Sequence, residues 1–531
     1  MSSRAERCQS RREKRKFDDT ARTMDKDIKI PENINSVLPP EMLGRVFSHL
    51  APKDLKTAML VCKSWKNAAG RPAFWSWVKL RCRSQLSLKR LQGAREIAIN
   101  DPPKGSWHKL CQAILQHPGL KKIILDSSHF KPEELKQADL LSQVFAKMED
   151  IEIRGWYAAR CVVDCVLKGQ NNLKRLVLNR TYGEDPYGED PVLLATALNK
   201  IEVLDVELTE EQANLLFKTM KDETSIKSLY LRNDLALSKL EPTHFFGAFD
   251  KLDVLNLDDE YGDNVPFQLD VITTFCETVA AGTNLKRLSL YDVHLSQVNH
   301  HLLGRMAMQM AKQLEGLQLS SRNRRMRDQI GTIVEAIANT EVGTLKTLSL
   351  HGIDLGLVEG CLLARMATQV EELKLYSNFD QDQAKAIFEV IAAGPGRLKK
   401  LEITRRLDDV DADILACAVN NLEVFYQNDS AEGSLPIGHM KKILSKALKE
   451  TSLKTLIFQG ERRHMKSRLI KEAKKIIPYI SIRPASLSDT ETDSMVDSDS
   501  GHEIESESDF ESDSDVMWST LDALTGFAGQ Y

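Results

Sequence analysis

Between Leu120 and Phe458 the apolar positions fall into thirteen segments of the form L-x-x-L-x-L or a close variant, about 28 residues apart. Clear copies are Leu173-Lys174-Arg175-Leu176-Val177-Leu178 and Leu252-Asp253-Val254-Leu255-Asn256-Leu257. In Leu285-Lys286-Arg287-Leu288-Ser289-Leu290-Tyr291 the period of two sends Leu288 and Leu290 inward and leaves Arg287, Ser289 and Tyr291 facing solvent, which predicts a short strand. The stretch from Leu302 to Leu314 instead spaces Met306, Met310 and Leu314 as one side of a helix. A strand and a helix of this size cannot cover their own apolar sides, whereas stacked copies can. The pattern predicts an α/β array, with parallel strands on the inside of a curve and helices on its wider outside. Intervals of 24 to 33 residues place insertions at the turns. Ala94 to Ile99 and Ile480 to Ile482 are expected as worn terminal strands.

Residues 37–80 break this rhythm. Pro39-Pro40-Glu41 suits a helix start, where a missing amide proton costs little. Leu43, Val46, Phe47 and Leu50 form one apolar stripe. After a turn at Pro52, Leu55, Ala58, Val61, Cys62 and Trp65 form a second, and Trp75, Trp77 and Leu80 suggest a short third segment. Three short helices in about 44 residues have a poor ratio of interior to surface, so such a module often leans on a partner. Periodicity alone leaves open whether Leu43, Phe47, Leu50 and Leu55 serve an internal core or an interface.

Leu38-Pro39-x-Glu41, Val46-Phe47-x-x-Leu50, Asp54-Leu55, Val61-Cys62-Lys63-x-Trp65 and Trp75 resemble an F-box nearly end to end. The repeats downstream look like ribonuclease-inhibitor-like leucine-rich repeats, so 37–482 resembles the F-box/leucine-rich-repeat family of substrate receptors. The resemblance implies a three-helix F-box followed by a repeat solenoid, or horseshoe. It implies binding to the Skp1 adaptor and, through it, to cullin-1 and a RING subunit. Leu38, Pro39, Leu43, Val46, Phe47, Leu50 and Leu55 fall in the signature and are the expected adaptor-binding residues. The repeats would select a protein substrate that the resemblance does not name. The alternative is a Skp1-binding scaffold that does not promote ubiquitination. Such a receptor supplies proximity rather than bond chemistry, and Cys62 matches the signature cysteine rather than a nucleophile.

On the strands, Tyr230, Arg232, Tyr291, His351 and Tyr376 are expected on the concave side, and Tyr and Arg are frequent hot-spot residues. Turns are acidic early, as in Tyr182-Gly183-Glu184-Asp185-Pro186 and its immediate copy, and basic late, at Arg322, Arg324, Arg325 and Arg327, at Arg405 and Arg406, and at Arg462, Arg463, His464, Lys466 and Arg468. Arg405 and Arg406 join the candidate substrate contacts. A surface of this polarity would orient a partner of complementary charge, although ordinary solvated loops read the same way.

Charge changes the picture at the ends. Residues 1–18 carry seven Lys/Arg against three Asp/Glu, and residues 488–516 carry twelve Asp/Glu and no Lys/Arg. The net charge of -4 therefore hides a mildly basic remainder, 72 Lys/Arg against 64 Asp/Glu. Arg11-Arg12-Glu13-Lys14-Arg15-Lys16 resembles a nuclear-import signal, and nucleic-acid binding has too small a basic footprint to be expected. Ser488, Thr490, Ser494, Ser500, Ser506, Ser508 and Ser512 each have an acid three positions on, a pattern similar to targets of an acidophilic kinase. One reading has this tail folding back over the basic turns to compete with an acidic substrate; another is a solubilising tail. Trp518, Leu521, Leu524 and Phe527 resume an apolar pattern. The expected domains are a disordered basic tail (1–36), the F-box (37–80), a solenoid of about 13–15 repeats (81–482), a disordered acidic Ser-rich tail (483–516) and a short amphipathic motif (517–531).

Nine cysteines without C-x-x-C pairs, and no apolar leader after Met1, suggest a reducing nuclear and cytosolic setting. No run reaches the roughly 18–20 apolar residues that span a bilayer. Neither a Walker-type loop nor His-Glu-x-x-His occurs, so no catalytic, metal or cofactor site is expected.

Overall fold

The computed structural model describes Leu80–Arg81, most of residues 95–483, and isolated positions between Leu43 and Lys66. Two compact units divide the chain, 1–485 and 486–531, and the second lies wholly outside the described residues. The expected phosphorylation positions from Ser488 to Ser512 and the motif at Trp518 to Phe527 therefore lie outside them too.

Sixteen strands form one open sheet whose spatial order is their order in the chain. Every pairing is parallel. Parallel neighbours need a crossover of a dozen or more residues, and the spacing between leucine segments provides it. Fourteen α-helices occur among the described residues, and each packs on the next. The helices thus gather on one face and leave the other open.

The leucines make this arrangement. Leu255, Leu288, Leu317, Leu348 and Leu373 lie in one row across five strands, and Leu257, Leu290, Leu319, Leu350 and Leu375 in the next. All are buried, and each contributes about 1.5–3 kcal/mol relative to exposure. Between them the helix His300–Gln313 buries Leu303, Met306, Ala307, Met310 and Ala311. Where the helix is only Pro242–Gly247, aromatic rings fill the gap. Phe245 meets Phe217 at 4.8 Å and Phe249 at 4.9 Å, both edge-on. Strands also occur at Glu96–Asn100 and Tyr479–Arg483, where worn ones were expected.

Arg287, Ser289 and Tyr291 alternate with the buried Leu288 and Leu290 as expected and are half-buried, because strands about 4.8 Å apart make side chains on one face shade each other. One expectation needs correcting. Leu80 belongs to a strand, not to a third helix: Leu80–Arg81 pairs with Ile97 and Ala98 and opens the sheet.

Just before each of the thirteen strands from Lys122–Asp126 to Thr455–Gln459 sits a charged residue of alternating sign: Lys121, Glu149, Lys174, Glu202, Lys227, Asp253, Lys286, Glu315, Lys346, Glu371, Lys399, Glu423 and Lys454. Each backbone N–H in this row after Lys121 donates to the carbonyl of the residue before it in the row. The side chains pair along it, Lys121 with Glu149 at 2.5 Å, Lys286 with Asp253 at 2.9 Å and Lys399 with Glu371 at 2.7 Å. These pairs are exposed, so each adds little to stability.

Candidate partner-binding face and front module

Strand register decides which candidate residues share the open face. Arg232, Tyr291, His351 and Tyr376 occupy one row, running through Arg232–Asp258–Tyr291–Ser320–His351–Tyr376. Tyr230 lies two residues back, in the row with Asp205 and Asn256. The side chain of Arg232 and the whole of Arg405 and Arg406 lie outside the described residues. Gln318 Nε2 donates to Tyr291 Oη. The exposed His351 ring meets the half-buried Tyr376 ring edge-on at 5.7 Å.

Beside Tyr376 lies a charged cluster that no single-strand pattern announces. Glu372-Leu373-Lys374 on one strand faces Lys400-Leu401-Glu402 on the next, with Glu372 opposite Lys400 and Lys374 opposite Glu402. The order of charges reverses between the two strands, so pairing the leucines brings opposite charges together. Lys400 Nζ reaches Glu402 at 2.7 Å and Glu372 at 2.9 Å; Lys374 Nζ reaches Glu372 at 3.4 Å and Glu402 at 3.9 Å. Tyr376 Oη donates to Glu402 Oε2. Glu402 is 1% exposed and Lys400 8%. Burial opposes the charge on Glu402, but Lys374 and Lys400, with hydrogen bonds from Lys400 and Tyr376, hold its carboxyl below the usual range. Burial pushes the Tyr376 hydroxyl up, and the neighbouring Glu402 carboxylate adds to that. Two positive and two negative charges balance in a largely dry setting. The cluster has little charge to offer a ligand; what it provides is a fixed platform for the His351–Tyr376 edge.

Elsewhere, Cys165 is buried and its Sγ–H points to the Ser142 carbonyl at 3.5 Å, which makes it a packing residue. Among the described residues, no three His, Cys, Asp or Glu are grouped to hold a metal ion. No helix there is long and apolar enough to cross a membrane.

In the front module Leu43, Phe47 and Ala58 are buried, and the Phe47 ring meets Trp65 edge-on at 5.2 Å. Leu43 and Phe47, expected at the adaptor surface, thus lie in the interior. The second stripe runs inward through Ala58, Cys62 and Trp65 at helical spacing, while Val61, expected with them, is 59% exposed. Its neighbour Leu60, which the pattern did not single out, is 85% exposed. Leu38, Pro39, Val46, Leu50 and Leu55 lie outside the described residues.

Residues 36–81 match the family described as F-box-like. This stretch is an F-box-like domain. Domains of this kind commonly bind Skp1. The F-box-like match ends at Arg81, within the strand that pairs with Ile97 and Ala98, so the domain runs directly into the parallel sheet. No curated protein matches the chain.

Proposed function

We propose that the chain is a noncatalytic substrate-recognition subunit of a Skp1–cullin-1–F-box ubiquitin ligase. In this reading the sheet and its helices are a leucine-rich-repeat solenoid whose open face binds a protein substrate. The observation that carries it is the junction: the F-box-like stretch supplies the first strand of the sheet. An adaptor held by the domain would then stand at a fixed distance from the recognition face. That rigidity is what raising a substrate lysine's effective concentration at a ubiquitin thioester requires. Strict sequence order of strands, packing between consecutive helices and rows of buried leucine support the solenoid. The His351–Tyr376 edge on its charged platform is the candidate contact. A nuclear and cytosolic location belongs to the same proposal, resting on the basic run at Arg11 to Lys16.

The test is affinity recovery of Skp1 and cullin-1 with the full chain and with a Leu60→Asp/Val61→Asp variant. Both residues are exposed, so the variant is expected to keep its circular dichroism and lose the adaptor. Failure of the unaltered chain to recover Skp1 would sink the adaptor assignment, and equal recovery with both chains would remove Leu60 and Val61 from the contact. Recovery of Skp1 without cullin-1 would favour the scaffold alternative.

A further inference from the structure

The last strand, Tyr479–Arg483, pairs with Thr455–Gln459 on one side and with no strand on its other side among the described residues. An edge strand leaves alternate N–H and C=O groups without a ladder partner, ready to pair with another chain. Ile480 is 8% exposed, whereas Leu456 and Phe425, in the same row of the two preceding strands, are fully buried at 0%. Ile476 and Tyr479 beside it are 44% and 39% exposed. Among the described residues the sheet stops here, with part of its apolar surface exposed.

Charge at this end is equally one-sided. From Ile437 to Arg483 the chain carries thirteen Lys/Arg and three Asp/Glu. The exposed Lys471, Lys474 and Lys475 have no acidic partner among the described residues, although Arg468 pairs with Glu472 and Lys454 with Glu423. The alternating row before the strands also ends unbalanced: after Lys454 the next place holds Pro478, where the alternation calls for an acid.

We propose that this end of the sheet binds an extended acidic segment of a partner protein, which adds to Tyr479–Arg483 as a further strand. Main-chain hydrogen bonds supply affinity, and alternate apolar side chains of the segment cover Ile480 and Ile476. Carboxylates on the other positions meet Lys474 and Lys475, which favours acidic strands and speeds their approach at low salt. The inference does not depend on the adaptor assignment.

The probe is a fluorescein-labelled twelve-residue peptide of alternating valine and glutamate, followed by anisotropy. It is titrated into the full-length chain with the Asp and Glu of 488–516 replaced by Asn and Gln, so that no stretch of like chemistry competes. Saturable binding that weakens with salt is expected, with slowed amide exchange at Ile480 to Arg483. Lys474→Gln/Lys475→Gln should weaken it about five-fold, the scale of two exposed ion pairs. A peptide with proline in place of valine keeps the charge but cannot form a ladder, and should not bind. The proposal is overturned by equal affinity for the proline peptide or for a DNA duplex, by no effect of the lysine changes, or by no saturable binding.

Discussion

Replacing Glu402 by Gln probes the charged cluster most directly. At 2.7 Å the attraction between Lys400 and Glu402 is about 6 kcal/mol with an effective dielectric constant near 20. Desolvating two ions costs several kcal/mol each, so the intact pair adds little net stability. Removing one partner is another matter. Glu402→Gln keeps the shape but takes one of the two carboxylates away from Lys400 and Lys374, with side chains 10% and 13% exposed, and leaves Glu372 beside them. Truncating a buried pair typically costs about 3–5 kcal/mol. With Glu372 still in place, about 2–3 kcal/mol is expected here, together with a weakened Tyr376 hydrogen bond. Urea denaturation followed by circular dichroism measures the change. The diagnostic comparison is a second variant, Glu402→Gln/Lys400→Met, which removes the surplus cation and should be more stable than Glu402→Gln alone. The reasoning fails if the single change costs less than about 0.5 kcal/mol, or if the two changes simply add.

The same cluster sets a pH dependence. The Glu402 carboxyl is held below its unfolded value, so its contribution is complete above the unfolded pKa of about 4.3 and disappears as pH falls through the lower folded value. Wild type and Glu402→Gln should therefore converge in stability only below about pH 4; convergence near pH 6 would contradict this. Lys147 Nζ donates to the carbonyls of Ile114, Leu115 and His117 at the end of helix Trp107–Leu115, at 3.1, 3.0 and 2.6 Å. Lys147→Met should cost about 1–3 kcal/mol and speed amide exchange in that helix, while unchanged exchange would remove its capping role. Gly282 has φ 102°, and an added Cβ would lie 3.2 Å from Gln309 Nε2. Gly282→Ala should thus lower stability by about 1–2 kcal/mol in thermal melts. Phe47→Ala should cost about 3–5 kcal/mol in the front module and abolish adaptor recovery through loss of folding, visible as protease sensitivity before Leu80.

Rows of leucine were legible because burial on one face of a parallel strand imposes a period of two and a repeat imposes another. Leu288, Leu290, Met306 and Met310 all lie where those periods put them. The candidate surface was legible only as positions. Tyr291, His351 and Tyr376 were marked as strand residues of the open face, but that His351 touches Tyr376 depends on register between segments 25 residues apart. Nothing within their own strand singles out Glu402 and Lys400. Their meaning lies in the reversed order of Glu372 and Lys374 next door, which single-strand periodicity does not compare. In the front module the spacing of Ala58, Val61, Cys62 and Trp65 could not say which residue stands at the margin of the stripe.

The alternation of sign before successive strands makes the architecture sensitive to parity. Excising one unit, for example the stretch from Lys286 to Leu314, would set Asp253 against Glu315 and stack like charges at the seam. Excising two, from Asp253 to Leu314, would set Lys227 against Glu315 and restore attraction. Each mismatch is small, about the size of one exposed pair. A lineage that lengthens or shortens such a chain would accordingly do so most smoothly in couples, the natural increment being a doublet of about 56 residues.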